Sequence, residues 1–159
     1  MDTEWQGFFS ALAAAAAIAF AVLLATVLRT ANWWRGTALK QVAAVLPLLA
    51  LLVPLVAGLV ALMPGSPWRV GYLVMGGAGI CALIWHAATY LRHEDEADGF
   101  DDRQVQWGLP GSLVVYLCLI AFSCSGGRWA VFVVAGLSVA LLVLGSAGVW
   151  FLLSRRPNV

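Results

Sequence analysis

"WGLPGSLVVYLCLIAFSC", Trp107 to Cys124, is the stretch whose reading decides the fold. It is apolar enough to enter a bilayer, but it has only 18 residues and opens with Gly108, Pro110 and Gly111. A membrane-crossing helix needs about 20 apolar residues to traverse roughly 30 Å of hydrocarbon. Either this segment crosses, or it re-enters and leaves on the same side while buried in protein.

The flanking sequence supplies four less ambiguous runs. Spans are expected at about 8–28, 39–63, 70–91 and 129–153, the second containing Pro47 and Pro54. They are far longer and more apolar than the ten-residue alternating segments of a membrane barrel. With 62% of 159 residues apolar and 11% charged, the composition exceeds what one water-soluble core needs. The expected fold is all-α, a polytopic transmembrane helical bundle forming one domain over 1–159. It has five spans, or four plus a re-entrant 107–124 segment.

Charge arbitrates between the two. With five spans, Arg29, Arg35, Lys40, Arg92, Arg103, Arg155 and Arg156 share one side and Arg69 and Arg128 the other, seven against two. With four, the split is six against three. Basic residues favour the cytoplasmic side, so five spans are expected, with the N-terminus outside and the C-terminus cytoplasmic. Tryptophan agrees, because an indole prefers the membrane interface. Trp5, Trp68 and Trp129 would mark the outer interface and Trp33, Trp34, Trp107 and Trp150 the inner one, with Trp85 deeper. "MDTEWQG" has no basic residue, so the first apolar run is expected to be a retained span rather than a signal peptide. The expected location is a bacterial-type plasma membrane.

Helices in lipid gain little from burying apolar surface against one another, so small residues that permit close approach carry the packing signal. Candidates are the four-residue ladder Ala13, Ala17, Ala21 and Ala25, then Gly76, Gly77 and Gly79 in "GGAG", and Gly136 with Ala140. Such faces close the bundle or dock on a partner. Pro47 and Pro54 each remove an amide and loosen a carbonyl four residues earlier, at Ala43 and Ala50. Freed carbonyls are either resealed by neighbouring helices or line a site.

His86 lies well inside a span, where an ionisable residue is a place to look for function. The bland alternative is a buried imidazole bonded to a nearby carbonyl or hydroxyl. His93 lies seven residues on, about 10.5 Å along a helix, so the two cannot share one metal as i,i+4 histidines do. The loop 93–106 holds six acids in "EDEADGFDD". Aligned as a calcium loop on Gly99, it offers Glu94, Glu96, Asp98 and Asp102, but the twelfth position is Val105 rather than glutamate. A solvated acidic loop is expected, a loose divalent-cation site being the alternative.

Other chemistry is not signalled. All eight acids lie in the N-terminal tail or this loop, so no carboxylate sits in a span to relay protons. Cys81, Cys118 and Cys124 form no CxxC pair, and no Ser-His-Asp set or phosphate loop occurs. No motif implies a cofactor. A net charge of +1 without a basic block offers nothing to hold nucleic acid, which is not an expected partner; the expected partners are lipid and a membrane protein or a second copy.

In length, five spans and eight tryptophans the chain resembles the tryptophan-rich sensory or translocator proteins, a resemblance that implies binding of porphyrins or sterol-like ligands. That family carries a Trp-Pro-rich loop after its first span, whereas "RTANWWRGTALK" has no proline, so no site residue is carried over. The sequence reading is a non-enzymatic membrane protein acting by helix association, as accessory or assembly subunit or homo-oligomer. The alternatives are a transporter or channel for a neutral or apolar solute along Pro47, Pro54 and His86, and a haem- or quinone-binding redox subunit using His86.

Overall fold

A computed structural model describes residues 3–29, 38–63, 68–93, 108–125 and 129–154. Each segment is one helix: α1 (Thr3–Arg29), α2 (Ala38–Leu62), α3 (Trp68–Arg92), α4 (Leu109–Cys124) and α5 (Trp129–Ser154). The described residues contain no strand. The expected bounds agree within a few residues, because each apolar run ends in glycine, proline or charge. Residues 64–67 begin with Pro64, and α2 stops at Leu62 ahead of it. At the end of α4 the Ser125 N–H and hydroxyl both donate to the Phe122 carbonyl, at 3.2 and 2.9 Å.

Four helices are long and apolar enough to cross a membrane: 5–29, 38–62, 68–92 and 129–148. Helix α4 is equally apolar and shorter. In α2 the helix continues through both Pro47 and Pro54.

Helices α2, α3, α4 and α5 form a ring in which each packs against the next and α5 closes onto α2; α1 flanks this ring, lying chiefly along α2. The core, which includes Phe9, Val53, Tyr72, Leu119 and Val134, runs through the ring and out beneath α1. A smaller cluster of Leu23, Ala44 and Leu51 joins α1 to α2. Tyr72 of α3 is fully buried and hydrogen-bonded to Ser138 of α5 at 3.1 Å, a tie across the ring. Ser138 also donates to the Val134 carbonyl at 2.8 Å. A serine has one hydroxyl proton, so the Tyr72 hydroxyl supplies the proton of the tie. Thr26, Thr89 and Ser123 likewise donate to carbonyls one turn back, so each hydroxyl proton is taken up within its own helix.

The outward faces are as apolar as the inward ones. Ile18 and Val74 are 68% and 63% exposed, and Val22, Ile84, Leu117, Phe132 and Val143 also point outward. An exposed apolar surface of that extent is costly in water and neutral in hydrocarbon. The fold is an apolar helical bundle compatible with an integral membrane protein.

Candidate functional site

Close helix contacts are set by glycine, though not by every glycine the sequence suggested. A Cβ on Gly76 would lie 2.8 Å from Ile120, and one on Gly79 would overlap the Tyr116 ring, so these two glycines seat α4 on α3. Gly77 and Gly136 have nothing within 4 Å of such a Cβ. Ala13 is buried against Gly58 of α2, whereas Ala17, Ala21 and Ala25 are exposed and Ala140 is half-buried. The ladder leaves the interface because each four-residue step turns about 40° beyond a full revolution, so three steps carry it about 120° around α1. The contacts that sequence reasoning missed are Gly58 against α1, Gly71 against Val60 of α2, and Gly145 and Gly148 against Leu51 and Pro47. The pair at 145 and 148, one turn apart, was a readable signal.

Aromatic residues gather at one end. Trp5 stacks edge-on against Phe132 at 4.8 Å, Phe132 touches Trp129, and Phe9 and Trp68 both meet Tyr72. The Arg69 guanidinium sits 5.5 Å from the centre of the Trp68 ring. Trp5, Trp68 and Trp129 therefore share one end of the bundle. Trp150 lies on α5 and is exposed, and Trp85 is half-exposed on α3. Trp33, Trp34, Trp107 and the acidic residues Glu94, Glu96, Asp98 and Asp102 lie outside the described residues.

At the opposite end a cavity of about 140 Å³ lies among α2, α3, α4 and α5. Its walls include Pro47, Leu83, Leu109, Ser112, Tyr116 and Gly148. Two further lining residues, Gly108 and Leu144, are exposed, so the cavity opens at the bundle surface. Two local features shape it: α4 begins only at Leu109, and Gly79 sets the Tyr116 ring at its wall. Gly148 lets α5 come into close contact with Pro47 at its edge. The first turn of α4 has no side-chain cap, and Pro110 sits within it. Helix geometry leaves first-turn N–H groups without intrahelical acceptors.

His86 sits one turn beyond Leu83 on the same face of α3 and is 2% exposed. Neither Nδ1 nor Nε2 has a hydrogen-bond partner among the described residues. The antiparallel pairing of Gly76 with Ile120 and Gly79 with Tyr116 runs on to bring Leu83 beside Ser112 and His86 to the level of Leu109. An unsatisfied buried polar group costs on the order of 1–3 kcal/mol; His86 is not among the residues that line the cavity, and its nitrogens are closed off from it. Of the three residues read as a possible solute path, Pro47 lines this cavity, His86 lies at its level, and Pro54 is buried two turns away in the core.

The cysteines are all free, with Cys81 and Cys124 exposed and Cys118 half-buried. Among the described residues no three His, Cys, Asp or Glu side chains come together as metal ligands.

Four helices long and apolar enough to cross a membrane and an apolar exterior define the class as an apolar helical bundle compatible with a membrane location. Compared with protein-family models, with curated proteins and with solved structures, the chain matches none of them. The likeness to the tryptophan-rich proteins therefore rests on length, topology and composition alone.

Proposed function

We propose that this chain is a five-span integral membrane protein of a bacterial-type plasma membrane, with its N-terminus outside and its C-terminus cytoplasmic. Its work is association with other helices, as an accessory or assembly subunit or with a second copy of itself. The observation that supports this reading is the exposed stripe of Ala17, Ala21 and Ala25 on α1, the one helix that flanks the ring instead of closing it. Small side chains on a lipid-facing helix let another backbone approach closely. Their replacement by leucine leaves the chain's own packing untouched and blocks that approach.

The test is native mass spectrometry of the protein extracted gently from its host membrane, with and without Ala17→Leu and Ala21→Leu. The expected result is a complex heavier than the 16.9 kDa chain that dissociates in the double variant. A complex that survives both leucines removes the support for α1 as the docking helix.

The second reading, a bound or transported small molecule, draws on the cavity. It gathers Pro47 at one end of the bundle while Pro54 lies in the core, an arrangement that favours holding a molecule over conducting one. A volume of about 140 Å³ is far too small for a porphyrin, and His86 is not among the residues that line it.

A further inference from the structure

We infer that the end cavity takes the hydroxyl end of a neutral alcohol, held between the Ser112 and Tyr116 hydroxyls of α4 and the Ala50 carbonyl of α2. The inference rests on the small-molecule reading of the cavity and names the ligand class.

The hydroxyls come from one face of α4. Ser112 and Tyr116 stand one turn apart on it and both line the cavity. Neither hydroxyl has a hydrogen-bond partner among the described residues. Tyr116 is 3% exposed, yet its hydroxyl is not shut in as the His86 nitrogens are, and the open space that this residue borders is the cavity. A buried tyrosine hydroxyl ordinarily finds a partner.

The acceptor comes from a proline. Ala50 lines the same cavity, and its carbonyl would take its helical hydrogen bond from the amide of residue 54, which is Pro54 and has none. Helices α2 and α3 run antiparallel from the contact of Gly71 with Val60, which brings Ala50 level with Cys81. Tyr116 packs on Gly79, within one turn of that level. A freed carbonyl and two unpaired hydroxyls therefore border one space. A hydroxyl on the ligand accepts from Tyr116 or Ser112 and donates to Ala50, whereas an ether or ketone only accepts and leaves the carbonyl unmet.

The walls set the rest of the ligand. No charged side chain among the described residues lines the cavity, so a neutral molecule is the one that escapes a large desolvation cost there. Leu83, Leu109 and Leu141 offer apolar surface to a hydrocarbon body. A cavity of roughly 150 Å³ accepts one benzene molecule, so about six carbons fit in this one, whose volume is about 140 Å³. The exposed residues Gly108 and Leu144 mark an opening through which a longer chain can trail into lipid. The same chemistry can thus come from a short alcohol or from the end of a long-chain one.

The experiment uses the full chain in lipid nanodiscs, with tyrosine ¹³C-labelled at Cζ. Hexanol and hexane, each carrying a terminal CF₃ group, are titrated and followed by ¹⁹F resonance, with concentrations referred to the lipid phase. The alcohol should bind saturably, at least fivefold more tightly than the alkane. It should shift the Tyr116 Cζ signal, identified by its loss in Tyr116→Phe, while Tyr72, tied to Ser138, stays in place. Tyr116→Phe removes a hydroxyl that holds nothing in the free protein. It should weaken the alcohol about two- to tenfold, the worth of one net hydrogen bond, and leave the alkane within about twofold. Ala50→Phe, which fills the cavity from α2, should abolish binding of both. Competition by dodecanol assigns the site to a long-chain alcohol, and its failure to compete to a short one. Equal affinity for alcohol and alkane in the wild type, with both lost in Ala50→Phe, overturns the hydroxyl site and leaves the small-molecule reading standing. No saturable binding of either overturns both.

Discussion

Replacing Gly145 by alanine adds one methyl group where α5 meets α2. A Cβ at this position lies 2.6 Å from Leu51 Cγ, 2.7 Å from Leu51 Cδ2 and 3.3 Å from the Pro47 carbonyl oxygen. Carbon atoms in contact rest at about 3.5–4.0 Å, so the two helices must separate by on the order of 1 Å or Leu51 must leave its rotamer. Leu51 is fully buried and its neighbour is backbone, so neither yields easily. Overpacking of this kind costs about 1–3 kcal/mol. The control is on the same helix: at Gly136 nothing lies within 4 Å of an added Cβ. There alanine is neutral to about 1 kcal/mol stabilising, through helix propensity and a less free unfolded chain. The same gain applies at Gly145 and cancels between them, so the two variants should differ by about 1–3 kcal/mol, Gly145→Ala being the less stable. Equilibrium unfolding of the purified protein in mixed micelles, followed by circular dichroism, measures the difference. Equal stabilities, or a less stable Gly136→Ala, would refute the assignment of Gly145 to the α2 interface.

Tyr72→Phe removes the tie to Ser138 but leaves the serine bonded to Val134, so the expected loss is about 0.5–1.5 kcal/mol. Ser138→Ala added to Tyr72→Phe should cost clearly less than the two separate losses combined, which the same unfolding assay measures. Gly58→Val crowds Ala13 and the Phe9 carbonyl, and should release α1 before the ring melts. A fluorophore pair on α1 and α2 would then separate at lower denaturant than the global transition, and coincident transitions would count against a flanking α1. Five spans put the termini on opposite faces. Reporters fused before residue 3 and after residue 154 should be accessible from opposite sides of intact cells, and same-side labelling would return α4 to the re-entrant reading.

Helix existence and bounds were legible in the sequence because each depends on a long apolar run and on the proline, glycine or charge that ends it. Partner faces were not. In water a helix shows its inward side by an apolar stripe, but here Ile18 faces out and Phe9 faces in on one helix, and both are apolar. That left small residues as the signal, and small residues occur on both faces. The Ala13 ladder keeps one member at the interface because four-residue steps rotate off it; Gly76 and Gly77 are adjacent and only the first meets a neighbour. Of the candidate site, His86 and Pro47 were readable as unusual residues in apolar spans. That they would stand at the same end of the bundle depends on which helices neighbour which, and on Gly148 letting α5 approach Pro47 closely. Neither is written in local pattern.

The brevity of α4 has a consequence for the lipid. Its 16 residues rise about 24 Å, while α1, α2, α3 and α5, at 25 to 27 residues, rise about 38–40 Å. On four sides of the bundle a hydrocarbon layer of about 30 Å is easily matched, and on the α4 side it is about 6 Å too thick. Mismatch costs a fraction of a kcal/mol per ångström, so in the proposed five-span arrangement lipids beside α4 would shorten while those beside α1 would not. The molecule would impose a one-sided dimple on the membrane and be held more firmly as acyl chains shorten, a dependence on bilayer thickness that a bundle of five equal helices would lack.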